Sequence, residues 1–390
     1  GMTTPTDHAF LSCSGAHRWM ACPGAPRLEA QFPRSESIYA TEGTTAHALL
    51  ETALLLGEDS AAACLHLVAG ADDEMAEHVQ PVLEWVRTQL ADRPGAELFI
   101  ERRVDPGKAI GRDDLWGTCD VLILDLPRRT ILVGDLKYGV GYAVEATNNV
   151  QLQLYGLGAM HLVDEAIDTV TVVVLQPRAV HAVGPIRTAT LTREAMEAFS
   201  REVQAAAEAT EQEDALLVPG EHCVFCRAKG GCSALADHAL AMAQEAFRGV
   251  DLPLTPERVA YLLGQTGTIR GWLKALEDHA LQLARSGTAL PGWKLASRRG
   301  HRAWVTQETA LTHLVTTYGV PEELLAPRAL ISPAQVEAAI KKTTKQKADL
   351  QHLVRVPDLG PRLVKEGAPG GDAFEDALAL FAGLEEETES

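Results

Sequence analysis

At 390 residues, 46% of them apolar, the chain is long enough for two domains or for one large core with an appendage, and its 52 Pro plus Gly fall short of low complexity. No apolar run approaches the roughly eighteen residues of a membrane-spanning helix, and no secretory leader opens the chain. A cytoplasmic protein without a membrane partner is expected, with Gly1 before Met2 read as the scar of a cleaved tag. The net charge of −18 argues against nucleic acid until its distribution is seen. Residues 366–390 carry eight acidic groups and no basic one, whereas 291–365 carry twelve Lys and Arg against six Asp and Glu.

The predicted elements begin with a turn-rich segment around "HRWMACPGAPRLE", followed by an amphipathic helix over "GTTAHALLETALLLG" and a second near 73–92. Strand-type runs come next: "ELFIERRV", "GTCDVLILDL" and "TILVGDLKYG", the last two joined by a turn at "PRR". A helix near 149–163 leads to the apolar strand "TVTVVVLQP", and a helix at 192–212 leads to "EHCVFCRAKGGC". This order suggests a mixed α/β sheet flanked by helices. Beyond residue 250 the pattern turns mainly helical, starting at "LTPERVAYLLG". The expected organisation is a domain at 1–250, an accessory region at 251–365 with a basic segment, and an acidic tail at 366–390. No repeat, Walker A, G-x-S-x-G or H-E-x-x-H motif occurs, so no ATPase motor is expected.

The candidate chemistry lies on the strands. Asp135 and Lys137 are two residues apart, and in a strand both point to one face. Burying such a pair for packing alone is costly. Asp120 sits near the end of the preceding strand, and His47 and Glu51 are spaced i, i+4 on the first helix. Two carboxylates, an imidazole and a lysine suit a hard divalent cation beside a water nucleophile, with Lys137 orienting the water and offsetting phosphate charge. Glu42 and Glu51 read as capping or solvated helix residues, and Glu101 is open between a solvent-facing and a metal-facing role. Gln151 and Tyr155, also i, i+4, either pack their helix on the sheet or support the site.

Cys223, Cys226 and Cys232 supply three soft ligands within ten residues and lack a fourth, for which Cys22 and Cys13 compete. Cys64 and Cys119 sit in apolar contexts and read as small core residues. In "GWKLASRRGHRAW", Lys294, Arg298, Arg299 and Arg302 lie between Trp293 and Trp304. That interleaving suits backbone contacts plus stacking on an unpaired base, or else a solvated hairpin with both tryptophans in a small core.

The ordered set G-x-x-x-H, G-T-x-D, D-x-K, Q-x-x-x-Y and C-x₂-C-x₅-C resembles the RecB-like branch of the PD-(D/E)XK nucleases. "SGAHRWMACPGAPRLE", "ATEGTTAHALLE", "VGDLKYGVGYAVEATNNVQLQLYGLGA" and "CVFCRAKGGC" resemble, more closely, a phage and prophage family of unknown function, over about residues 8–310. The resemblance implies a restriction-endonuclease-like α/β fold and a Mg²⁺- or Mn²⁺-dependent deoxyribonuclease, an exonuclease on DNA ends or single strands. The matching positions are His47, Asp120, Asp135, Lys137, Gln151 and Tyr155, with Asp135 where many relatives carry Glu. It also implies a [4Fe–4S] cluster on Cys22, Cys223, Cys226 and Cys232 joining the two ends of the nuclease domain. Zinc on the same thiolates is the chemical rival. A phage setting makes a strand-annealing or other recombination protein a candidate partner by family analogy. The alternative reading is a catalytically silent nuclease fold that serves as a DNA-binding or scaffold protein.

Overall fold

A computed structural model describes residues 9–33, 38–140, 143–247, 255–326 and 330–365. The chain divides into two compact units, Gly1–Leu273 and Lys274–Ser390. The expected border near residue 250 and the acidic tail 366–390 lie outside the described residues.

The first unit opens with the short strand β1 (Leu11–Ser12) and the short helices α1 (Ala16–Trp19) and α2 (Ala25–Glu29), followed by α3 (Ile38–Leu56) and α4 (Asp73–Ala91). Three strands follow: β2 (Glu97–Val104), β3 (Leu115–Asp125) and β4 (Thr130–Leu136). Then come α5 (Val150–Met160), β5 (Thr169–Leu175), β6 (Ile186–Thr192), α6 (Arg193–Thr210) and α7 (Ser233–Phe247). The sheet is mixed. β2, β3 and β4 run antiparallel in turn, β5 lies parallel to β4 after the α5 crossover, and β6 closes antiparallel on β5. β1 adds a two-residue parallel pairing to the start of β3.

Both faces of this sheet are covered, which is why β3, β4 and β5 read as near-continuous apolar runs. Leu122, Leu124, Val133, Val170 and Val172 pack with Leu152 and Leu154 of α5 and with Met196 and Val203 of α6. Val121, Ile123, Leu132, Val173 and Leu175 pack with Leu49 and Ala53 of α3 and with Val79, Leu83 and Val86 of α4. The two layers hold α3 against one face and α5 against the other, so side chains from opposite sides meet where β3 and β4 pair. Helix starts are set by local chemistry: Asp72, Asn149 and Thr192 each accept the N–H three residues on, at Met75, Leu152 and Ala195.

Helix α8 (Pro256–Arg285) spans the division between the units. The second unit adds β7 (Trp293–Arg299), β8 (Ala303–Trp304), α9 (Gln307–Tyr318), α10 (Glu322–Leu325), α11 (Pro333–Thr344), β9 (Val354–Arg355) and β10 (Asp358–Lys365). β7 pairs with β10 and β8 with β9, so the tryptophan-flanked basic segment is not a hairpin. Trp304 is buried among Leu314, Val336 and Ile340, whereas Trp293 is 46% exposed. Among the described residues no helix is long and apolar enough to cross a membrane.

Candidate active site

Four elements converge at the junction of β3 and β4. His47 of α3 donates its Nε2–H to the Leu136 carbonyl at 2.8 Å, which fixes the proton on that nitrogen. Its Nδ1 then faces Asp120 Oδ1 at 3.3 Å and Glu101 Oε1 at 4.0 Å. Asp120 is only 7% exposed, and its Oδ2 accepts the Leu136 N–H at 2.6 Å. β3 begins two residues before the expected strand, which places Asp120 within the sheet rather than at its end. Ligand atoms of His47, Glu101 and Asp120 all lie within 4.8 Å of one another. Glu51 and Leu50 complete the small pocket around them.

Asp135 and Lys137 form the adjoining half. Lys137 Nζ lies 2.7 Å from Asp135 Oδ2 and donates to Gln151 Oε1 at 2.9 Å. Gln151 Nε2 donates to the Tyr155 hydroxyl at 2.9 Å and lies 3.4 Å from Asp135 Oδ1. Helix α5 therefore carries a brace for the lysine, so Gln151 and Tyr155 do more than pack. Asp135 is 4% exposed, and the ion pair leaves its buried Oδ2 without a directed hydrogen bond. The glycine of G-T-x-D has a steric reason: a Cβ on Gly117 would meet Cys13 Sγ at 2.8 Å and Tyr155 Cε1 at 2.9 Å. Nothing lies within 4 Å of the corresponding position on Gly43, so the structure gives no steric reason for that glycine.

Glu101, open on sequence grounds, points into the site through an unusual backbone. It lies mid-strand with φ +48° in the left-handed region, between the pairs Ile100–Val121 and Arg102–Cys119, and so faces Asp120 across the ladder. Such a conformation costs a non-glycine residue about 1–2 kcal/mol. Glu101→Gly should therefore be more stable than Glu101→Ala by about 1 kcal/mol, reversing the usual strand preference, while both lose cation affinity. Urea unfolding of the two variants checks the order; a more stable alanine variant would remove strain from the account.

The electrostatics describe a site short of positive charge. Burial works against protonation of His47, but the hydrogen bond and charge of Asp120, with Asp135 behind it, prevail and raise it to about 9. Burial first, then the Asp120 charge, pushes Glu101 up to about 7. Burial likewise raises Asp135 against the pull of Lys137. A hard divalent cation fits this donor set, because it would relieve the crowding of carboxylates and meet the oxygen-rich, single-imidazole chemistry such ions take.

The cysteines meet elsewhere in the same unit. Cys22, Cys223, Cys226 and Cys232 all line one pocket, together with Arg18, His222 and Lys229. No disulfide joins any of the seven cysteines. Cys22 Sγ accepts the Val218 N–H at 3.2 Å and Cys223 Sγ the Gly220 N–H at 3.4 Å. Burial raises Cys223, and burial with the nearby Glu29 charge raises Cys226 to about 11, so these thiols ionise readily only beside a positive charge. Cys13 is buried against Gly117 and is absent from the residues lining this pocket. Cys64 and Cys119 are core residues, as expected. Among the described residues no three cysteine sulfurs close to within 4.8 Å.

In the second unit, Arg302 is held by both oxygens of Glu337, at 2.5 and 2.8 Å. Arg298 is exposed, Lys294 is half-buried, and the side chain of Arg299 lies outside the described residues. With Trp304 in the core and donating through Nε1 to the Ile331 carbonyl, no pair of tryptophans is available for stacking.

A family model described as "Protein of unknown function (DUF2800)" matches residues 8–369, and the chain belongs to that family. Among solved structures, SSO0001 is 15% identical over 60% of this chain and 90% of its own, with a TM-score of 0.28. An alkaline exonuclease (LHK-Exo) from Laribacter hongkongensis is 13% identical over 50% and 92%, with a TM-score of 0.22. Both TM-scores are below 0.5, so neither likeness assigns a fold or an activity.

Proposed function

We propose that this member of the DUF2800 family is a Mg²⁺- or Mn²⁺-dependent deoxyribonuclease of restriction-endonuclease-like fold, an exonuclease acting on DNA ends or single strands. The observation that carries the reading is the convergence of His47, Glu101 and Asp120 beside an ion pair of buried Asp135 with half-buried Lys137, braced by Gln151. A purely structural role would not favour so many buried charges at one point. His47, Asp120 and Asp135 are the metal residues of this reading, with Glu101 added from the geometry. Held by these residues, a divalent cation would serve as the Lewis acid that lowers the pKa of a water and offsets charge on the scissile phosphate. Lys137 is held by two partners so that its ammonium orients the attacking water and offsets negative charge on the phosphate. Gln151 and Tyr155 fix that lysine. Anaerobically purified protein incubated with end-labelled single- and double-stranded DNA should cut only when Mn²⁺ or Mg²⁺ is added; no cutting of either substrate with either ion overturns the reading.

The cysteine pocket belongs to the same proposal as a [4Fe–4S] site. All four cysteines line one pocket, which suits a four-thiolate cluster. Backbone N–H donors to Cys22 and Cys223 and the cations Arg18 and Lys229 suit an anionic cluster.

Lys294, Arg298, Arg299 and Arg302 complete the proposal as DNA-backbone contacts, now without base stacking. Arg298→Ala should lower the slope of log K against log salt by about 0.7–0.9, the share of one phosphate. Arg302, already held by Glu337, should lower it less; equal slopes for wild type and Arg298→Ala would return the segment to a structural role.

A further inference from the structure

We propose that Arg178 is a DNA-phosphate clamp beside the cleavage site, held ready by Glu42 and Tyr138; this rests on the nuclease reading above. β4 and β5 are parallel with Leu136 opposite Leu175, and the Lys137 N–H donates to the Leu175 carbonyl at 2.8 Å. Arg178 follows three residues later, so it emerges at the same sheet edge as Lys137. Its guanidinium carbon lies 4.7 Å from the ring centroid of Tyr138, the residue next to Lys137. Its Nη1 lies 3.0 Å from Glu42 Oε1, on α3 five residues before His47. The arginine thus bridges the helix that carries His47 and the strand that carries Asp135.

Its contacts differ from those of the structural arginines in this fold. Arg112 binds both oxygens of Asp114, at 2.9 and 2.8 Å, and Arg187 is buried with its donors spread over Val144, Gly184 and Gln176. Arg178 makes one hydrogen bond among the described residues, to a carboxylate that is itself 41% exposed, and is 18% exposed itself. Its Nε and Nη2 make no hydrogen bond to the described residues. A planar fork held over the buried Tyr138 ring at the sheet edge that carries Lys137, with one hydrogen bond to the described residues, matches the oxygens of a phosphodiester. The exposed Glu42 carboxylate holds that fork in place and gives it up to a phosphate.

The test uses full-length wild type, Arg178→Ala, Arg178→Lys and Glu42→Gln with a fluorescent single-stranded oligonucleotide. Binding is read with Ca²⁺ and cleavage with Mn²⁺. Arg178→Ala should raise Kd and KM about 10- to 100-fold, the value of a charge-assisted contact, with kcat within a few-fold and Mn²⁺ affinity unchanged. Arg178→Lys keeps the charge without the fork and should recover only part of the affinity. Glu42→Gln should tighten DNA binding about two- to five-fold, because the competing carboxylate charge is gone. A merely structural pair predicts the opposite sign: Glu42→Gln would weaken binding alongside Arg178→Ala, and that result, or a wild-type Kd for Arg178→Ala, overturns the clamp. Wild-type protein that neither binds nor cuts DNA overturns the nuclease reading instead.

Discussion

Lys137→Ala protein is expected to keep its divalent cation and to lose DNA cleavage by about 10²- to 10³-fold, the scale of removing one pre-positioned charge from a reacting centre. The lysine offers no ligand atom of its own: it touches Gln151 and the metal residue Asp135, while the atoms that converge come from His47, Glu101 and Asp120. Removing the ammonium therefore leaves the cation's donors intact. Isothermal titration with Mn²⁺ and a single-turnover cleavage assay separate the two functions. Asp120→Ala should behave differently and lose both. It removes a ligand and strands the Leu136 N–H, which donates to Asp120 Oδ2 at 2.6 Å, so the fold also loses about 1–3 kcal/mol. Asp120→Asn can still accept that N–H, which isolates the loss of charge from the loss of fold. Wild-type cleavage by Lys137→Ala would end the mechanism proposed here.

Much of this site was legible because its residues sit in clearly apolar segments. β2 coincides with "ELFIERRV", and the helices carrying His47 and Gln151 overlap the expected segments, α3 starting five residues earlier, at Ile38. Glu101 stayed ambiguous for a physical reason. A period of two assigns faces only for regular strand backbone, and a left-handed φ at one residue re-aims its side chain. β6, "IRTATLT", escaped notice because it is a short outer strand with few apolar residues. The fates of Trp293 and Trp304 depend on pairings across about fifty to seventy residues, β8 with β9 and β7 with β10, which no local pattern encodes. Cys22 lines one pocket with Cys223, Cys226 and Cys232 while Cys13 packs in the core, a distinction that spacing alone left open.

On the cluster proposal, chelation of iron from the cysteine pocket should bleach the protein without unfolding it. A cross-link from Cys22 to Cys223 closes a loop of about two hundred residues, and by chain entropy alone that would be worth about 5 kcal/mol. Most of that closure is already made by ordinary contacts. Gly24 donates to the Leu216 carbonyl at 2.8 Å, and Arg227 reaches the Glu29 backbone carbonyl through Nε. Glu29 in turn holds Arg18 at 2.6 Å in a largely buried ion pair. With α1, α2 and the cysteine loop tied in this way, metal adds only the remainder of the closure term. Cys22→Ala, Cys223→Ala, Cys226→Ala and Cys232→Ala proteins should fall from about four irons per chain to almost none. Their melting temperatures should drop on the order of 5 °C, with far-UV circular dichroism retained. Cys13→Ala should keep its iron and lose stability through a small core cavity. Stoichiometric zinc without iron in anaerobic preparations would replace the cluster by a zinc site. Collapse of the dichroism on metal removal would show that Arg18, Glu29 and Arg227 cannot hold the loop, and that the metal is what folds this end of the domain.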